Sequence, residues 1–213
     1  MKNIIEAFIL YVLFFFPTYV ETPTSISFSI YRELFRIFIY NIPAFSLIFY
    51  LLNGKRFCSK SENLGTIFLR QGLRFFLTFS AVLLVLCLIS FCVSTAASFF
   101  SPFASSPLLE KPYDAAEWLV LFISCVTTGL LEEIFFRVYL PKRFSNAPAA
   151  LVVPFLFSTA LFAFSHLYEG SWGIINAFLS GFFLCLVFAK TKNLASIAMA
   201  HGFYNFLVYA MGL

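Results

Sequence analysis

Two adjacent carboxylates and a guanidinium interrupt an apolar run in the second half of the chain. The segment Leu130–Leu140 reads LLEEIFFRVYL and contains Glu132, Glu133 and Arg137. Residues four apart share one face of a helix, so Glu133 can pair with Arg137 while Glu132 points about 100° away. A single ion pair can simply fix helix packing, but that role leaves the second carboxylate unexplained. Glu132 is therefore a candidate for chemistry.

The two histidines of the chain lie in other apolar segments, closer to the C-terminus. His166 follows Phe162 by four residues. His201 precedes Asn205 by four residues, so that imidazole and amide share one helix face. Lipid cannot solvate such groups, and we expect them to converge with the carboxylates at one site inside a helix bundle.

The side chains in this set favour hydrolysis. The sequence contains no HExxH zinc motif and no GxSxG serine motif. It also contains no Walker-type glycine loop, so nucleotide use is not expected. A carboxylate and an imidazole can activate a water, and an imidazole and an amide can donate hydrogen bonds to a developing oxyanion. These groups together could hydrolyse an acyl bond.

Composition indicates that these residues belong to a membrane protein. The 213 residues are 61% hydrophobic and 11% charged, whereas soluble domains contain about 25% charged residues. Spans that lack alternation must satisfy their backbone as helices of roughly 20 residues. Seven such spans are predicted, at Ile4–Val20, Leu34–Leu52, Phe75–Phe99, Glu117–Leu140, Ala149–Leu167, Gly173–Ala189 and Leu194–Leu213. The predicted fold class is all-α, a polytopic transmembrane helix bundle.

The cations predict how this bundle is oriented. With the N-terminus inside, ten Lys and Arg residues fall on the cytoplasmic side, and three, Arg32, Arg36 and Lys111, fall outside. Glu6 and the absence of an A-x-A cleavage site favour a first helix that is retained rather than a signal peptide. No basic face suited to nucleic acid is present. The expected location is a membrane crossed several times, the cell membrane if the source is bacterial.

Three short motifs follow one another in the second half of the chain. They are EExxxR at Glu132–Arg137, FxxxH at Phe162–His166 and HxxxN at His201–Asn205. This order resembles the CPBP family of intramembrane proteases, also called the Abi or CAAX-protease family, which includes the type II CAAX prenyl endopeptidases. The resemblance covers Glu117–Leu213, so residues 1–116 are predicted to form N-terminal helices and residues 117–213 a four-helix catalytic core.

The resemblance implies an intramembrane endopeptidase that cleaves a membrane-associated, lipidated or small peptide substrate within or beside the lipid bilayer. It implies that Glu132 and His166 activate the attacking water and that His201 and Asn205 stabilise the oxyanion. The Glu–Arg pair keeps the structural role that helix geometry predicts. Phe162 is expected to be a packing residue that orients His166.

Metal use stays open at this stage. Glu132, Glu133, His166 and His201 could ligate Zn²⁺ through nitrogen and oxygen atoms. The same residues serve a metal-free water mechanism, which is the interpretation we prefer. Two other functions compete with hydrolysis. One is a non-catalytic membrane protein of the same fold in bacteriocin immunity or partner binding, which has no need for intact motifs. The other is a proton-coupled transporter, which usually contains internal repeats that this sequence lacks.

Overall fold

The computed structural model describes residues 2–16, 25–26, 28–53, 64–100, 108–144 and 152–211. In chain order the helices and strands are α1 (Lys2–Phe14), β1 (Ser25–Ile26), α2 (Ile30–Phe35), a π-helical turn (Arg36–Asn41), α3 (Ile42–Asn53), α4 (Leu64–Phe100), β2 (Leu108–Leu109), α5 (Ala115–Glu133), a second π-helical turn (Ile134–Tyr139), α6 (Leu140–Phe144), α7 (Val152–Phe164), a 3₁₀ turn (Leu167–Glu169), α8 (Gly170–Thr191) and α9 (Leu194–Met211).

Each of the seven predicted spans contains an apolar helix, which confirms the predicted fold class. Among the described residues, five helical stretches are long and apolar enough to cross a membrane, at Ile30–Leu52, Gly72–Phe100, Ala115–Phe144, Leu167–Thr191 and Leu194–Met211. The first and fifth predicted spans contain the shorter apolar helices Ile4–Phe14 and Val153–Phe164. The orientation with the N-terminus inside stays a prediction.

A short parallel strand pair ties two connections together. β1 pairs with β2, with Ser25 opposite Leu108 and Ile26 opposite Leu109. One strand follows α1 and the other precedes α5, so both connections lie on the same side of the bundle. This placement agrees with two crossings between them, one by α2–α3 and one by α4.

Two helices widen into π-helical turns for a reason that is visible in the sequence. Each turn, Arg36–Asn41 and Ile134–Tyr139, is followed two residues later by a proline, Pro43 or Pro141. Proline has no N–H, and its ring excludes the carbonyl four residues earlier, so the regular hydrogen-bond ladder is interrupted. In the second turn Ser158 of α7 donates a hydrogen bond to a main-chain carbonyl. This turn carries the guanidinium of the predicted site.

α5 and α9 cross with their backbones in direct contact. A Cβ atom at Gly129 would lie 2.7 Å from the main-chain nitrogen of Gly202, and a Cβ atom at Gly202 would lie 2.6 Å from the Cα of Val126. Small residues allow this approach, and any side chain at either glycine would push the helices apart. The crossing brings Glu133, one turn beyond Gly129, against His201 beside Gly202.

Two apolar clusters hold the remaining helices around this crossing. One joins α1, the second π-helical turn and α7, where the rings of Phe15 and Phe135 stack with centroids 4.3 Å apart. The other joins α4, α8 and α9 around Leu86, Leu184 and Ile197. The predicted site lies between the clusters, because it takes residues from α5, α7 and α9.

Candidate active site

Glu133 and Arg137 form the ion pair that helix spacing predicts. The Arg137 Nε atom lies 3.0 Å from Glu133 Oε2, and one terminal nitrogen lies 3.4 Å from Oε1. Both side chains are fully buried. A buried charge is tolerated when it is paired and hydrogen-bonded, so this pair can persist inside an apolar bundle.

His201 on α9 is the second partner of Glu133. Its Nδ1 atom lies 2.9 Å from Glu133 Oε1, so the carboxylate accepts hydrogen bonds from both Arg137 and the imidazole. Because an ionised carboxylate can only accept, Nδ1 carries the proton and Nε2 points away from the pair. Glu133 therefore fixes the orientation of His201, a role beyond the helix pairing predicted from sequence.

Glu132 faces the other nitrogen of the same imidazole. Its Oε2 atom lies 3.7 Å from His201 Nε2, which is too far for a direct hydrogen bond. That oxygen is buried and has no hydrogen-bond partner within the described part of the chain. Buried polar atoms are nearly always satisfied, so this carboxylate oxygen lacks a partner that the described residues do not supply.

His166 lies just beyond the C-terminal end of α7. Its Nδ1 atom is 2.8 Å from the carbonyl oxygen of Phe162, and a carbonyl only accepts, so Nδ1 carries the proton. In the neutral ring Nε2 is then an acceptor, and it makes no hydrogen bond within the described part of the chain. His166 lies within electrostatic range of Glu132. The phenyl ring of Phe162 contacts both imidazoles, with centroid separations of 4.6 Å to His166 and 5.8 Å to His201.

Asn205 follows His201 by one turn of α9 and is half-buried. Its side chain makes no hydrogen bond to another residue that the structure describes. Its amide is therefore available to a bound molecule. The structure thus joins Glu132, Glu133, Arg137 and His201 directly and His166 through Phe162, and it leaves Asn205 one turn away on the shared face.

A comparison with models of known protein families finds one match for this region of the chain. Residues 114–207 match the family model described as Rce1-like type II CAAX prenyl endopeptidase. This match confirms the predicted resemblance. Searches of curated proteins and of solved structures returned no match.

The Rce1-like match and the geometry cover the same part of the molecule. All three motifs lie between residues 114 and 207, and so does the glycine crossing of α5 and α9. The matched region lies within helices that form a multi-pass membrane bundle. α1 to α4 lie outside the matched residues.

The four candidate metal ligands do not form a ligand set within this Rce1-like region. No group of three or more His, Cys, Asp or Glu side chains is placed to hold a metal ion among residues 2–16, 25–26, 28–53, 64–100, 108–144 and 152–211. Glu133 already accepts from Arg137 and His201, and a cation next to a ligand opposes metal binding. Glu133 is therefore not free to act as a metal ligand, and no step below is built on a metal.

A second buried carboxylate, outside the matched region, was missed by the sequence interpretation. Glu33 of α2 accepts a hydrogen bond from Ser124 Oγ at 2.7 Å and lies 3.0 Å from Arg36 and 3.4 Å from Arg32. Arg32 and Arg36, which the predicted orientation counts on the outside, both lie within the apolar stretch Ile30–Leu52. Pairing with Glu33 makes this possible. The i, i+3 spacing of Glu33 and Arg36 was the available signal.

Proposed function

We propose that the protein is an intramembrane endopeptidase that hydrolyses a peptide bond of a prenylated or other membrane-associated peptide. The observation that carries the proposal is the unpartnered, buried Oε2 atom of Glu132, which faces His201 Nε2 at 3.7 Å. The match to the Rce1-like family supports peptidase activity, and supports a prenylated peptide as the substrate class.

The first step is the activation of a water by Glu132. A carboxylate with a free lone pair can take a proton from a water, and the free Nε2 atom of His166 can accept the other hydrogen bond and orient it. The water oxygen then attacks the carbonyl carbon of the scissile bond. Glu132 returns the proton to the leaving amine as the tetrahedral intermediate collapses.

The developing oxyanion needs donors on the opposite side of the carbonyl. His201 can donate from Nε2 only as an imidazolium, because its Nδ1 proton is directed at Glu133. The surroundings suit that form, since the charges of Glu132 and Glu133 would balance those of His201 and Arg137. Asn205, one turn along α9, supplies an amide N–H as the second donor.

A cleavage assay with purified protein in lipid nanodiscs tests this function. The probes are a quenched fluorescent peptide with a prenylated CAAX terminus and the same peptide without the prenyl group. We expect the wild type to cleave the prenylated probe, and Glu132→Ala and His166→Ala to abolish cleavage. Glu33→Gln is the matched control, because it removes a buried carboxylate outside the site and should leave cleavage intact.

Two outcomes would overturn the proposal. Full activity of both Glu132→Ala and His166→Ala would remove these residues from the mechanism. Hydrolysis of neither probe, together with identical membrane peptidomes in cells that express wild type or Glu132→Ala, would favour the non-catalytic alternative.

Metal use requires a separate measurement on the active protein. We expect full cleavage after prolonged treatment with a strong chelator, with less than stoichiometric zinc by elemental analysis. Activity that disappears with the chelator and returns with Zn²⁺ would contradict the metal-free mechanism while leaving peptidase activity in place.

A further inference from the structure

The ring of Phe162 lies at the centre of the candidate site. It is buried with 2% of its surface exposed. The guanidinium carbon of Arg137 lies 4.9 Å from its centroid, and the rings of His166 and His201 lie 4.6 Å and 5.8 Å from it. One apolar side chain therefore contacts three of the polar residues, whereas the sequence indicated only that it orients His166.

Gly181 of α8 makes the space for this ring. A Cβ atom at Gly181 would lie 2.8 Å from Cδ1 of Phe162, closer than nonbonded carbons approach. Gly181 is buried within α8, so the ring cannot move outward without displacing that helix. An alanine at this position would push the ring towards the polar residues.

The contacts of the ring have specific physical consequences. The face of an aromatic ring attracts a guanidinium, and this attraction strengthens when water is excluded. One terminal nitrogen of Arg137 has no hydrogen-bond partner in the described part of the chain, so the ring face provides part of its stabilisation. The ring also restricts rotation of His166, since the imidazole is held between it and the Phe162 carbonyl.

We propose that Phe162 is a positioning residue of this site and that Gly181 is required to admit its ring. The proposal rests on the function proposed above. Phe162 sets the position of both imidazoles relative to Glu132 and acts through them. Misplacing a catalytic group by about 1 Å can cost about 100-fold in rate.

The kinetic test uses three variants and one control. Phe162→Leu removes the ring, and Gly181→Ala displaces it. We expect each to lower kcat for the prenylated probe by about 10- to 100-fold per folded molecule, with little change in KM. In the double variant, Gly181→Ala should add little to Phe162→Leu, because no ring remains to collide with. Gly72→Ala is the control, since no atom lies within 4 Å of a Cβ there.

Two kinetic results would overturn the proposal. One is a kcat per folded molecule in Phe162→Leu that equals the wild type, which would leave the ring with a packing role only. The other is full additivity of the two substitutions, which would show that Gly181 acts on something other than the ring.

A second measurement does not depend on turnover. The chain contains two histidines, and both belong to the site, so selective ¹⁵N labelling of histidine reports on these rings alone. We expect the wild type to show the tautomer with a proton on Nδ1 of His166, and Phe162→Leu to show averaged tautomers. An unchanged spectrum in Phe162→Leu would overturn the positioning role. A changed spectrum in a protein that cleaves no probe would preserve it and reject the proposed peptidase activity.

Discussion

Glu33 and Glu132 are both carboxylates on apolar helices, yet their surroundings differ in one decisive respect. Glu33 accepts from Ser124 and is paired with two arginines whose side chains are 36% and 39% exposed. Glu132 has a buried oxygen without a hydrogen-bond partner among the described residues, and that oxygen faces an imidazole nitrogen 3.7 Å away. The fold therefore supplies hydrogen-bond partners for the carboxylate of Glu33, whereas it leaves one oxygen of Glu132 without a partner in the part of the chain that the structure describes.

Glu133, although it is the neighbour of Glu132 in the chain, resembles Glu33. It is as buried as Glu33 and also fully engaged, by Arg137 and His201. A satisfied buried carboxylate holds elements together, and an unsatisfied one needs another partner. The comparison predicts that substitutions at Glu33 and Glu133 affect stability, whereas substitution at Glu132 affects chemistry.

The largest loss of stability is expected for Arg137→Met. Methionine keeps the approximate volume but leaves Glu133 buried without its cation, which should cost about 3–5 kcal/mol in the free energy of unfolding. Unfolding in mixed micelles with increasing SDS measures this loss. A loss below about 1 kcal/mol would show that the pair is not structural.

Glu133→Gln should be the next most damaging change. It removes the charge opposite Arg137 and leaves one acceptor oxygen for two donors, Arg137 and His201, which should cost about 2–3 kcal/mol. The kcat should also fall, because His201 is held less firmly in one tautomer. Glu132→Gln is the matched control and should unfold at the wild-type SDS fraction or above it. Equal destabilisation by both variants would remove the distinction between the two carboxylates.

Ser124→Ala tests how firmly Glu33 is held. The serine donates a 2.7 Å hydrogen bond to a buried carboxylate, and its loss should cost about 1.5–2 kcal/mol without changing kcat per folded molecule. Ser196→Ala is the control, because Ser196 is equally buried and its hydroxyl has no hydrogen-bond partner among the described residues. If both variants lose the same stability, the Glu33 contact contributes nothing specific.

The smallest effect is expected for Arg36→Met. This guanidinium is 36% exposed, and ion pairs near water contribute only about 0.5–1 kcal/mol. The loss should shrink further at high salt, whereas that of Arg137→Met should not. If Arg36→Met lost as much stability as Arg137→Met and the loss did not depend on salt, water would be excluded from the Glu33 cluster as fully as from the candidate active site.

The sequence predicted the apolar helices and the Glu133–Arg137 contact because both depend on local spacing. Hydropathy locates a span, and four-residue spacing places two side chains on one face. The contact between His201 and Glu133 could not be predicted in this way. It depends on how closely α5 and α9 approach at Gly129 and Gly202, which is a property of two helices that are distant in the chain.

The Glu33 cluster was missed for a different reason. The predicted second span begins at Leu34, which leaves Arg32 and Glu33 outside it, and Arg36 is counted with the outside cations. The structure begins α2 at Ile30, where Ser29 accepts a hydrogen bond from the main chain of Arg32. The spacing rule that predicts the Glu133–Arg137 pair also predicts an ion pair between Glu33 and Arg36.

The central claim is that Glu132 transfers the proton of the attacking water. Glu33 and Glu133, whose carboxylates already have hydrogen-bond partners, do not. Single-turnover cleavage of the prenylated probe by equal amounts of folded Glu132→Gln and Glu33→Gln tests it most directly. We predict that Glu132→Gln lowers the rate by about 1,000-fold. Glu33→Gln should remain within about twofold of the wild type. Wild-type turnover by Glu132→Gln, or equal losses in both variants, would contradict the account.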